Sequence, residues 1–251
     1  MNREADDLAT LSSLGVLAAL AAALGHEALG HGGTCMLMGG EVTLLTVIWF
    51  RCAGGGVLTD VGGPIGGLLV GLVGLGMAAW APRLAIRARL AGLLLGSFAL
   101  LWFSAQLVVN GLSATGDWGG AALQAAWPTV WRPVAVLAGV IGYAALMRIA
   151  WLLARSIDPG VQPRRRFLVP YMAGALAVIA CAALRTGDGS ALEAARAVGL
   201  APLGYLFVHA RTWQAPRSAG PVASSWPWIM GATAALAIYA AIFGPGLGRL
   251  A

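Results

Sequence analysis

The chain has 251 residues, of which 59% are hydrophobic and 10% charged, with a formal net charge of +6. Soluble domains carry about 25% charged and about 45–50% apolar residues, so this composition leaves too little polar surface to coat a water-facing globule. All 16 basic residues are Arg, set singly or in small groups between apolar runs. That pattern sets membrane topology and attracts anionic headgroups, and it lacks the basic stripe of a nucleic-acid binder.

Residues 1–7 hold one Arg against three acids, a poor n-region for a signal peptide, so the first helix is expected to stay as its own insertion signal. The first span is expected over about Leu11 to Gly30, roughly the 20 residues that cross a hydrocarbon core. It ends in Gly25-His26-Glu27-Ala28-Leu29-Gly30-His31. The Gly-rich stretch from Gly32 to about Asp60 mixes polar and apolar residues, with β-branched residues between Val42 and Phe50. It predicts a short hairpin or re-entrant element. A second span, about Val61 to Trp80, opens on Gly62-Gly63-Pro64-Ile65-Gly66-Gly67. Pro is tolerated near a helix start, and clustered Gly lets a neighbouring helix come close.

Third and fourth spans are expected over about Leu90 to Leu112 and Val134 to Ala154, joined by a polar loop that holds Asp117. After Arg164-Arg165-Arg166 come a fifth, about Phe167 to Leu184, a short sixth, about Val198 to Trp213, and a last, about Trp226 to Phe243. The expected fold is all-α and transmembrane. It is one domain over residues 1–251, a polytopic bundle of six or seven helices with a β-like or re-entrant segment after the first. Counting Arg on alternate sides of seven spans puts ten with the N-terminus and five opposite, so the N-terminus is expected in the cytoplasm.

Ionisable groups near membrane spans are site candidates by default. The Arg-based topology brings His26, Glu27, His31, Asp60 and Asp117 toward the outer face. A helical His-Glu-x-x-His sets two imidazoles on one face to bind zinc, with the Glu as base. Here His26 and His31 are five apart, and a regular helix would turn them about 140° away from each other. A π-turn, or unwinding at Gly30, would bring them together. The residues alone equally allow a plain hydrogen-bonded pair of Glu27 and His31, Asp60 as a helix N-cap, and Asp117 as a turn residue. Cys35 and Cys52 flank the re-entrant segment and suit a disulfide in an oxidising compartment. His209 suits a bundle-packing role, and Trp80, Trp127, Trp131, Trp226 and Trp228 an interfacial belt.

Over roughly residues 20–120 the chain resembles the site-2-type intramembrane zinc metalloproteases, in particular their small bacterial branch. The likeness rests on the His26-Glu27 motif, Gly39-Gly40-Glu41-Val42, Gly54-Gly55-Gly56-Val57-Leu58-Thr59, the Gly62–Gly67 run and an Asn110-to-Asp117 element. It implies a metalloprotease-like core over about residues 10–120, with additional helices over about 134–247. It also implies zinc held by His26, His31 and Asp117, Glu27 as catalytic base, a transmembrane protein substrate, and a bacterial inner-membrane location among membrane lipids.

Two function classes follow: a metal-dependent intramembrane or membrane-surface peptidase, or a catalytically inactive scaffold or accessory subunit held to partner subunits of a larger membrane complex. A transporter fits less well. Arg148 is the one basic residue clearly inside an expected span, and no repeated halves with broken helices are visible.

Overall fold

The computed structural model describes residues 6–80, 85–157, 163–186, 189–208 and 221–248. Helix α1 (Leu8–Leu24) passes without a break into a π-helical segment (Gly25–Gly32) and then α2 (Gly33–Leu37). Asp7 starts this rod: its Oδ2 accepts from the Thr10 backbone N–H at 2.9 Å and from the Thr10 hydroxyl at 2.6 Å, satisfying donors that every helix start leaves open. The rod therefore runs well past Gly30, and the His-Glu motif lies inside it and not at its end.

Strands β1 (Glu41–Leu45) and β2 (Phe50–Ala53) form an antiparallel hairpin with an irregularity between Val42 and Leu44. A Cys35–Cys52 disulfide ties the hairpin to α2. The rest is helical: α3 (Val57–Trp80), α4 (Ile86–Ser113), α5 (Gly116–Gln124), α6 (Trp131–Ile157), α7 (Pro163–Ala183), α8 (Ser190–Ala194) and α9 (Trp226–Ile238). Beyond α8 the helix continues as a π stretch to Leu200 and a 3-10 stretch to Phe207, and α9 ends in a π-turn over Tyr239–Phe243. Six of these helical lengths are long and apolar enough to cross a membrane, which fits an all-α polytopic bundle with one small hairpin.

Three expectations change. Helix α3 starts at Val57, so Pro64 stands well inside it, and the Asp60 carbonyl loses the donor that Pro64 cannot supply. For the same reason Asp60 is in the first turn of α3 and is not its N-cap. The expected polar loop around Asp117 holds a helix, α5, entered through left-handed Ala114 (φ 56°) and Gly116 (φ 70°). His209 and the Arg cations at 3, 83, 211, 217 and 249 lie outside the described residues.

Helix α1 sits at the centre, with Leu11, Leu14 and Ala19 fully buried against α4, α7 and α9. Lipid tails are as apolar as Leu, so close van der Waals packing must hold such a bundle. Small residues supply it: a side chain at Gly15 or Gly174 would run into the facing α7 or α1 backbone, and one at Gly74 or Gly92 into the facing α4 or α3 backbone.

Residues 190–207 run antiparallel to α7. The Tyr205 ring meets Phe167 near the start of α7 with centroids 5.5 Å apart, and the Tyr171 hydroxyl donates to the Gly199 carbonyl. The last helix then returns. Val222 N–H donates to Asp6 Oδ1 (2.7 Å) and Ser225 N–H to the Thr10 hydroxyl (2.9 Å) at one end. At the other end Leu247 exchanges two backbone hydrogen bonds with Leu45 in β1. Between the ends, the Tyr239 hydroxyl donates to the Leu20 carbonyl at 2.7 Å.

Candidate metal centre

The π-helical segment decides the site. A π-turn brings residues i and i+5 together where an α-turn separates them, and the His26 and His31 ring centroids are 4.9 Å apart at an interplanar angle of 84°. Its neighbours allow this geometry. Side chains at Gly30, Gly62 or Gly66 would collide with backbone or with Thr34 across the contact between α3 and the π-turn. Only glycine lets the two helices approach this closely. A methyl at Gly63 would overlap the His31 ring, Nε2 first.

Each imidazole is clamped. His31 Nδ1 stands 2.7 Å from the Thr59 carbonyl oxygen. A carbonyl only accepts, so Nδ1 carries the proton and Nε2 is left with its lone pair in the neutral ring. The His31 ring stacks on Phe50 of β2 at 5.4 Å, and His26 stacks on Trp102 of α4 at 4.4 Å. Both histidines are buried, and so is Glu27. Among the described residues Glu27 makes no hydrogen bond to His31; its Oε1 lies 3.9 Å from His26 Nε2.

Asp117 completes the cluster from α5. Its Oδ2 is 3.1 Å from His26 Nε2 and its Oδ1 3.5 Å from His31 Nε2. Asn110 fixes α5 in this position, because its Oδ1 accepts the Trp118 backbone N–H at 3.1 Å. Gln106 Nε2 donates to Asp117 Oδ2 at 3.1 Å. Burial pushes the Asp117 carboxyl up, but its hydrogen bond with His26 and the nearness of the His31 ring outweigh it and hold the group below the usual carboxylate range. Asp60 does not join the three. It accepts from Gln124 Nε2 at 2.6 Å, linking α3 to α5 beside the cluster.

The donor set fits zinc. Two imidazole nitrogens and one carboxylate oxygen lie within 4.8 Å of one another, the chemistry of a catalytic site with three protein ligands and one open position. Ligands about 2.0–2.1 Å from a tetrahedral ion stand about 3.3 Å apart; His26 Nε2 stands 3.1 Å from Asp117 Oδ2 and His31 Nε2 3.5 Å from Oδ1, the other oxygen of the same carboxylate. The three donor atoms, one from each residue, lie within 4.8 Å of one another, so the side chains would draw inward to share one ion. A second feature points the same way. Gln106 Oε1, on the side chain that touches Asp117, is buried with no hydrogen-bond partner among the described residues, although buried acceptors are nearly always satisfied.

Sequence reasoning singled out His26, Glu27, His31 and Asp117, and missed Thr59, Trp102, Gln106 and Gly63. Gln106 carried a signal, being an amide inside an otherwise apolar span. No protein-family model matches the chain, and no curated protein or solved structure gives a significant match to it.

Proposed function

We propose that the protein is a metal-dependent peptidase of the membrane, with zinc held by His26, His31 and Asp117 and Glu27 as the catalytic base. The observation that carries this reading is the convergence of both imidazoles and a distant carboxylate through a π-turn. A zinc ion supplies Lewis acidity there and lowers the pKa of bound water toward neutrality. Glu27 Oε1 takes the proton as a water adds to a peptide carbonyl carbon, and returns it to the leaving amine nitrogen. The Gln106 Oε1 acceptor suits a substrate N–H or the water itself. Asp117, whose side chain keeps 25% of its surface exposed, marks the side from which a substrate segment arrives.

The reading includes seven crossings, with residues 190–207 as the sixth, because residues 185 and 221 lie at opposite ends of the bundle. A 3-10 stretch rises about 2.0 Å per residue against 1.5 Å for an α-helix, which helps so short a length to cross. The Arg excess assigns the Asp6 end to the cytoplasm of a bacterial inner membrane. Cysteine labelling tests the orientation: Thr115→Cys should react from outside and Ser156→Cys only after permeabilisation, and the reverse would invert it.

Glu27→Gln and His31→Ala, assayed for zinc content and for cleavage of a membrane-peptide library, test the activity. Glu27→Gln should keep the metal and lose about 10²–10⁴-fold in turnover, and His31→Ala should lose both. The scaffold reading is favoured by one observation: Asp117 already accepts from His26 and Gln106, so the cluster is hydrogen-bonded without an ion. Wild-type protein that carries no metal, cleaves nothing and purifies with stoichiometric partners would decide for the scaffold.

A further inference from the structure

We propose that Arg148, Trp151 and Arg155 on α6 form a binding site for the phosphate headgroup of an anionic phospholipid. The Arg148 guanidinium carbon lies 4.2 Å from the Trp151 ring centroid and that of Arg155 5.0 Å from the same ring. Two cations thus converge on one aromatic side chain from positions three before and four after it.

Trp151 lies one turn after Arg148 and one turn before Arg155, so one ring on the surface of α6 serves both cations. The site stands near the end of α6 where Arg89 donates to the Ser156 hydroxyl at 3.1 Å. Long cationic side chains at such a position reach the interface along apolar helix surface.

Three facts specify the ligand. Neither guanidinium has a carboxylate partner or a hydrogen bond among the described residues, where both face the same Trp151 ring. The surrounding surface is apolar: Ile149 and Leu152 are 40% and 47% exposed beside them. And α6 is a peripheral span, with 11% of its most apolar window buried. A ligand that offers a phosphate to the guanidinium donors and an acyl chain to the apolar flank matches all three. A free phosphate matches only the first.

Native mass spectrometry of the purified full-length protein, titrated with phosphatidylglycerol or phosphatidylcholine, tests this. Each Arg near a membrane surface favours an anionic lipid about fivefold, so the pair should give about a 25-fold preference for phosphatidylglycerol. Arg148→Gln with Arg155→Gln should bring the two lipids to near parity, and Arg196→Gln, elsewhere on the surface, should leave the preference intact. Arg148→Lys with Arg155→Lys preserves charge and folding and should keep an intermediate preference, since an ammonium lacks the bidentate fork. Millimolar inorganic phosphate should leave bound phosphatidylglycerol in place. The proposal is overturned by an unchanged preference in the Gln pair or by full displacement with inorganic phosphate. It is overturned equally if the Gln pair abolishes self-association of a protein that shows no lipid preference.

Discussion

His31 Nδ1 and the Thr59 carbonyl oxygen stand 2.7 Å apart, so the second histidine of the motif is oriented by the first turn of α3 and not by Glu27. The ring is held between that carbonyl and Gly63, and the close fit at Gly63 makes it vulnerable. Gly63→Ala should push the ring aside and weaken zinc binding by about 10–100-fold, as loss of an orienting contact does. Gly76→Ala, where an added methyl meets open space, should leave affinity unchanged. Chelator competition measures both; equal affinities in the two variants would refute the Gly63 constraint.

A π-turn is an α-helix with one residue inserted, and that makes a deletion informative. Leu29 is 63% exposed. Removing it should convert the motif to ordinary α spacing, keep both imidazoles on one face and leave α2 in its present register. Zinc content should survive. Removing Leu17 from the regular part of α1 should instead rotate the motif by about 100° against its neighbours and abolish zinc binding. Loss of metal in a folded Leu29 deletion would show that the segment needs its extra residue.

The disulfide closes a loop with a sequence separation of 17, and a constraint of that size is worth about 3 kcal/mol. Cys35→Ser with Cys52→Ser should lower thermal stability accordingly. It should also weaken zinc binding, because the freed hairpin carries Phe50 off His31. Non-reducing peptide mapping should recover a linked Cys35–Cys52 peptide with Cys181 as a free thiol. Recovery of both as free thiols from protein made in an oxidising compartment would remove the bond.

Asp7 gives a prediction in pH. The Thr10 hydroxyl, followed by its backbone N–H, holds the Asp7 carboxyl below its ordinary value. A depressed folded-state pKa adds stability that is present above the unfolded value near 3.9 and is lost as pH falls through the folded one. Asp7→Ala should therefore cost about 1 kcal/mol at neutral pH, and the difference from wild type should close on acidification. Thermal unfolding in detergent, followed from neutral pH down through the acid range until the Asp7 carboxyl is protonated in the folded protein, reads it. A gap that persists in acid would assign the effect to something other than the carboxylate.

The long spans were legible because lipid imposes one rule on every helix, an apolar run of sufficient length. Their starts were not. Asp60 looks like a helix-capping residue, yet α3 begins earlier, at Val57, since packing against the π-turn favours helix through Gly62 and Gly63. Helix α5 was hidden by Gly116, Gly119 and Gly120, whose low helix propensity is overridden by the Asn110 bond to Trp118. The spacing of His26 and His31 announced a departure from α geometry and left two routes open, π-turn or unwinding. The choice between them rested on contacts from α3 that no local pattern records. Trp102 could not be read as a platform for His26, because an aromatic inside a span is ordinarily packing.

The first rod and the hairpin beyond it are held by residues more than 200 positions further along the chain. Asp6 and Thr10 wait for Val222 and Ser225, and β1 waits for Leu247. Synthesis runs from the N-terminal side, so the helix that bears the histidines is made long before these supports exist. The cluster thus becomes rigid only after residues 222–247 have been made and packed. A ribosome that stalls before α9, or a protease that removes it, leaves histidines that are present but loosely held.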